Sequence, residues 1–232
     1  MFELFDVYHI GALSATLMAA AALAVLGRHR SPTASRRYIE LPLAVAILVN
    51  ELIWHAYQAH RGNWDVTSSL PLHLCDAAIF VSVAALLFRS QISYELAYFW
   101  GLGGSIQALL TPNISAAFPH YEFFRYFFSH SGIIFAVAYL TFGRRMRPRP
   151  RSVPRTIAVT VAYTTVVGGV NHLISANYMF ICDKPKTASL MDFMGPWPWY
   201  ILPLVGTGIA VMLLLYLPYY VLERTRRRAA TP

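Results

Sequence analysis

Seven apolar runs partition the chain, at about 9–27, 39–58, 71–88, 94–111, 122–142, 156–176 and 200–222. Each approaches the roughly 20 residues that a helix needs to cross the hydrocarbon core of a bilayer. Lipid offers no partner to a backbone N–H or C=O, so a span must satisfy these groups internally, and runs of this length do so as helices. The expected fold is an all-α membrane protein, a single bundle of seven transmembrane helices forming one domain over 1–232. Composition agrees: 13% of the residues are charged and 56% hydrophobic, where soluble domains carry about 25% charged residues. Only "RSQIS" separates the third and fourth runs, which makes them antiparallel neighbours.

The charges orient the bundle. Arg28, Arg30, Arg36, Arg37, Arg89, Arg144, Arg145, Arg147, Arg149, Arg151, Arg155, Arg224, Arg226, Arg227 and Arg228 all fall in links on one side or in the tail on that side. The other side holds Arg61, Arg125, Lys184 and Lys186. Basic residues stay cytoplasmic, so the N-terminus is expected outside and the C-terminus in the cytoplasm. The formal net charge of +8 is thereby a topology signal and gives no reason to expect nucleic acid as a partner. The start, "MFELFDVYHIG", carries Glu3 and Asp6 where a cleavable leader would be basic, so the first run is expected to be retained.

Ionisable residues inside a bilayer are costly and point to function by default. With this topology, Glu51 and His55 lie toward the outer end of the second run, and His73, Cys75 and Asp76 open the third. Gln107 lies in the outer half of the fourth and Asn113 at its outer end, Glu122, Arg125 and His130 enter the fifth, and Asn171 and His172 end the sixth. The inner halves hold almost none of this chemistry. One shared polar level near the outer face is the expectation, although single polar residues also serve as glue between helices, and Arg125 has Glu122 within one turn. On a helix Glu51 and His55 share a face, as do His73 and Asp76. Cys75 is about 200° around the axis from His73, so a base for its thiolate would come from another helix, at His130 or His172.

Three chemistries fit. A Cys75 thiolate could attack an acyl carbonyl, with a histidine moving the proton and an amide or backbone donor holding the oxyanion. His55, His73, Asp76, His130 and His172 could instead supply the three ligands of a hydrolytic zinc, although the chain has no HExxH motif. The polar level could also bind or conduct a small solute without chemistry. Cys75 and Cys182 both map to the outer, oxidising side, so a disulfide between them is a further possibility. The stretch "ANYMFICDKPKTASLMDFMGPWPWY" from Ala176 to Tyr200 is long for a connection without a role. It reads as a lid over the polar level, with Lys184 and Lys186 available to a phosphate or carboxylate headgroup, or as an aromatic anchor at the interface.

The elements "LPLHLCD", "WGLGGSIQALLTPN", "NYMFICDKP" and "GPWPWY", in this order, resemble the YwaF-like family of bacterial integral membrane proteins, related to the vertebrate transmembrane protein 164. The resemblance covers nearly the whole chain. It implies a multi-pass protein of the bacterial inner membrane. The vertebrate relative looks like a cysteine-dependent acyltransferase acting on phospholipid or lysophospholipid with a fatty-acyl donor and no cofactor. By that likeness Cys75 is the nucleophile and His130 its partner, with His172 second. Asn171, His172 or Gln107 would then stabilise the oxyanion, and Glu51, His55, His73, Asp76, Asn113, Arg125, Lys184 and Lys186 would line the substrate site.

Overall fold

The structure, a computed structural model, describes residues 2–185 and 190–229. Among these residues are seven helices and no strand: α1 (Val7–His29), α2 (Pro32–His60), α3 (Leu74–Phe88), α4 (91–110), α5 (Tyr121–Gly143), α6 (Ser152–Ile174) and α7 (Ile201–Ala229). Short 3₁₀ turns lie at Tyr178–Phe180 and Leu190–Met194. Helices α1, α2, α5, α6 and α7 are long and apolar enough to cross a membrane, while α3 is apolar but has only 15 residues. The chain is an all-α integral membrane protein.

Helix boundaries depart from the apolar runs where capping decides them. Helix α2 begins at Pro32, well ahead of the run that starts at 39. Ser31 accepts the Ala34 N–H at 3.2 Å and proline occupies the first helical position, both strong start signals. Helix α4 begins at 91 rather than 94, because Ser90 accepts the Ser93 N–H. Helix α3 begins at Leu74 rather than 71. His73 therefore sits in a bend outside the helix, and helical spacing does not relate it to Asp76.

By packing, the described chain divides into two compact units. The first runs to Asn63 and resumes over Leu74–Arg147, so it contains α1–α5. Its centre is α3 with the start of α4: Ala78, Ala85, Leu86, Tyr94 and Ala97 are fully buried, and α3 packs against α2, α4 and α5. Protein surrounds α3 on these sides, which is why it can be short. Gly132 lets α5 approach α2 closely, since a Cβ there would sit 2.9 Å from Ile47. Polar pairs join the helices: Thr16 to Ser131 at 2.7 Å, Asn50 to Ser129 at 2.8 Å, and the buried His9, whose Nε2–H donates to the Leu109 carbonyl at 2.8 Å.

The arginine-bearing links meet at one end of this unit. Arg28 donates to the Phe142 carbonyl, Arg36 to Leu87, and Gln91 to Arg147. At their centre is Glu40, with no solvent exposure. Its carboxylate accepts from Arg89 Nε at 3.0 Å and Nη2 at 2.8 Å and from the Tyr139 hydroxyl at 2.7 Å, with Arg144 Nε at 3.7 Å. Glu40 and Tyr139 both lie in π-helical turns, Arg36–Glu40 and Tyr139–Gly143, where the wider turn re-aims a side chain. Glu95, also buried, accepts from Gln91 at 2.7 Å. The arginine-bearing ends of these helices therefore hold buried ionisable residues, where the reading of the sequence expected almost none. A carboxylate paired this closely is compatible with an apolar run, which is how hydrophobicity hides it.

The second unit comprises Trp64–His73 and the chain from Pro148, with α6 and α7. Its core is Val167, Ala176 and Tyr178, packed by Leu70, Leu72 and Tyr163. The Tyr178 hydroxyl donates to the Val66 carbonyl and accepts the Leu70 N–H, and Tyr163 donates to the Leu72 carbonyl. These bonds tie segment 64–73 to α6 and the turn after it.

Candidate functional site

Cys75 is the second residue of α3 and its thiol is half-buried and unbridged. Across from it on α4 is Gly104, where a Cβ would lie 3.1 Å from Cys75 Sγ. Glycine at this position gives the sulfur its room. On α5, Tyr126 lies within electrostatic range of the thiol. The Tyr126 ring packs on the His130 ring with centroids 4.4 Å apart, and the Tyr126 hydroxyl donates to the Ala108 carbonyl at 3.0 Å. His130 Nδ1 lies 2.9 Å from the Tyr126 carbonyl. A carbonyl only accepts, so Nδ1 carries the proton and the neutral ring keeps its lone pair at Nε2, the form a general base requires. Tyr126 thus packs on His130 and lies within electrostatic range of Cys75. Tyr126 was not among the residues singled out from the sequence. Its signal was its place one turn before His130, where i and i+4 side chains meet.

A second cluster in the same unit joins α2 to α5. Glu51, 2% exposed, lies 3.4 Å from His55 Nε2 and 3.2 Å from Arg125 Nη2. The Arg125 guanidinium also covers the Trp54 ring at 4.4 Å. The pairing of Glu51 with His55 follows from their spacing. Arg125 pairs across to Glu51, with Glu122 in its own first turn left as a helix-end acid. Gln107 is exposed and its amide donates to Thr111 at 2.6 Å. Asn113 lies beyond the end of α4, with its backbone at the Tyr126 hydroxyl. Asp76 stands in the first turn of α3 beside Cys75, where a negative charge suits the helix dipole.

The remaining candidates belong to the second unit. Asn171, 1% exposed, donates to the Tyr178 carbonyl and accepts the Tyr178 N–H, both at 2.9 Å, and its amide lies 3.8 Å from Cys182 Sγ. It pins the turn after α6. His172, its neighbour, faces outward and is exposed. His73 Nδ1 accepts the Met179 N–H at 3.2 Å, and its ring packs on Tyr178 and Phe180. Burial holds the His73 imidazole below its ordinary range, toward the neutral form that accepts this bond. Asn177 Oδ1 accepts the N–H groups of Cys182 and Asp183 at 3.1 Å each, Trp197 donates to the Ile181 carbonyl, and Tyr200 to Phe180. Ser175, Met179 and Phe180 take left-handed backbone angles, φ 55°, 60° and 53°, which side chains disfavour. The "NYMFICDKP" element is therefore a strained turn fastened by its own side chains.

A polar hollow of about 350 Å³ opens against this turn, lined by Thr67, Ser68, His73, Asn177, Asp183 and Lys184 among others. The Lys184 ammonium lies 5.6 Å over the Tyr200 ring. Lys186 lies outside the described residues. Both cysteines are free thiols. Among the described residues no three His, Cys, Asp or Glu side chains converge as a metal would require, so the zinc chemistry weighed from the sequence has no ligand set there.

No curated protein and no solved structure matches the chain. A family model does, over residues 4–216, nearly the full span of α1–α7 and in agreement with the resemblance carried by the four sequence elements. The chain belongs to the TMEM164 family.

Proposed function

We propose that this membrane protein moves or hydrolyses a fatty-acyl group on a membrane phospholipid or lysophospholipid, with Cys75 as nucleophile and His130 as its base. The observations that carry the reading are a free thiol given space by Gly104 and, packed on a tyrosine within electrostatic range of that thiol, a histidine whose Nδ1 is tied to a carbonyl. In the reaction His130 Nε2 takes the thiol proton and sulfur attacks the acyl carbonyl. The ester C–O bond breaks, and the departing lysolipid oxygen receives the proton from His130. Water or a second lysolipid hydroxyl then attacks the thioester, gives its proton to His130 and releases the thiol. The first N–H groups of α3 have no intrahelical partner and stand at Cys75 itself, so they are the donors suited to the oxyanion. The Asn171 and Gln107 amides are engaged elsewhere. No cofactor enters these steps, and the site of action is proposed to be the outer side of a bacterial inner membrane.

Intact mass of the purified protein is the test. A mass one fatty-acyl unit above that of the sequence, lost with neutral hydroxylamine and missing in Cys75→Ser, is expected. A Cys75→Ser protein with unchanged lipid turnover would remove the nucleophile. A second reading, binding of a small anion, rests on the hollow beside Lys184. Lys184→Ala should abolish binding under that reading and leave acylation of Cys75 intact under the first.

A further inference from the structure

At the arginine-rich end of the first unit an open cleft of about 370 Å³ is bounded by Pro32, Thr33, Arg36, Arg37, Leu41 and Arg89. It lies far from the proposed nucleophile. Cys75 and Arg89 are separated by the length of α3, about 21 Å at 1.5 Å per residue. Glu40, next in sequence to the cleft's Leu41, is buried and already satisfied by Arg89 and Tyr139. Arg36 spends one N–H on the Leu87 carbonyl, and Arg37 lies 5.4 Å from the Tyr38 ring. Arg89 is thereby charge-paired, but Arg36 and Arg37 border the same space with no ion pair to an acid among the described residues, and the cleft is electropositive.

Its rim continues into lipid-facing surface. Leu41, Val45, Val49 and Leu52 are all exposed, and their spacing of four, four and three places them on one stripe of α2. An apolar track therefore leads away from a basic pocket. A free anion has use for the pocket alone, whereas an amphipathic anion has use for both.

We propose that this cleft holds the phosphate of an anionic phospholipid from the leaflet at the arginine-rich end, with one acyl chain lying along the Leu41–Leu52 stripe. Guanidinium groups suit the ligand, because they present several N–H donors to phosphate oxygens at once. Basic pockets between membrane helices recognise lipid headgroups in this way.

The test is retention of phosphatidylglycerol against phosphatidylcholine of matched chains by the purified full-length protein, read by native mass spectrometry. The wild type is expected to retain phosphatidylglycerol preferentially. Arg37→Gln should weaken that retention about fivefold and Arg36→Gln/Arg37→Gln about thirtyfold, with Arg89 left in place to satisfy Glu40. Arg145→Gln/Arg147→Gln removes the same charge from exposed arginines at the same end but outside the cleft, and should change little. Equal retention of the two lipids overturns the proposal, as does an equal loss in both double variants. Displacement of the lipid by millimolar inorganic phosphate would overturn the lipid as occupant. Arg36→Lys/Arg37→Lys, which keeps the charges, should retain most of the preference and shows that a loss in the glutamine variants is not misfolding. None of these readings depends on acyl transfer at Cys75, so each proposal fails or stands by itself.

Discussion

Glu40 cannot be hydrated, so its charge is tolerable only through Arg89, Tyr139 and Arg144. Removing a partner leaves an ion in a medium that cannot solvate it, at a cost of several kcal/mol. Arg89→Ala is expected to lower stability by about 3 kcal/mol, and Glu40→Ala by a similar amount. The double variant should cost less than the sum, because the second substitution removes a charge already orphaned. Thermal unfolding in detergent measures all three. His73 makes a pH-dependent prediction of definite sign. Burial lowers its pKa in the fold, so the unfolded turn takes up a proton first, near its ordinary value of about 6.5. The stabilisation is complete above that pH and is lost as pH falls through the lowered folded value. Protonation also ends acceptance of the Met179 N–H at Nδ1. Proteolysis within 176–185 should accelerate on acidification through this range, and His73→Phe should flatten the profile.

At the scale of elements, hydrophobicity located every helix, but capping chemistry set where α2 and α4 begin. Ser31 with Pro32, and Ser90, carried those starts in plain sight, outside the apolar windows. Most of the candidate site was legible as residue types, much less as contacts. Glu51 with His55 followed from helical spacing. The partner of Arg125 did not, because Glu51 lies on another helix and spacing along one chain says nothing across two. Nor did the engagement of Asn171, which only appears once the turn after α6 folds back on it. Gly104 is the most informative case. The structure puts Cys75 Sγ in the space its missing side chain leaves, a relation between two helices that neither helix's own sequence carries. Gly104→Ala is expected to slow alkylation of Cys75 several-fold, while stability moves by less than about 1 kcal/mol, since alanine is the better helix former. A stability loss well beyond that, with unchanged alkylation, would make Gly104 a packing residue only.

For the whole molecule, the length of α3 has a kinetic consequence. Its 15 residues rise about 22 Å, against a hydrocarbon slab of about 30 Å. Were Arg89 to stand at headgroup depth, the other end of the helix would stop short of the opposite boundary and Cys75 would be reached from the hydrocarbon layer. A reactant would then reach the thiol sideways through the membrane, in two dimensions, after partitioning out of water. Turnover at such a thiol follows the mole fraction of substrate in the membrane rather than its molar concentration in the tube. Diluting the substrate with inert lipid at constant total amount should slow the reaction in proportion, and raising the volume of buffer at constant lipid composition should leave the rate per enzyme unchanged.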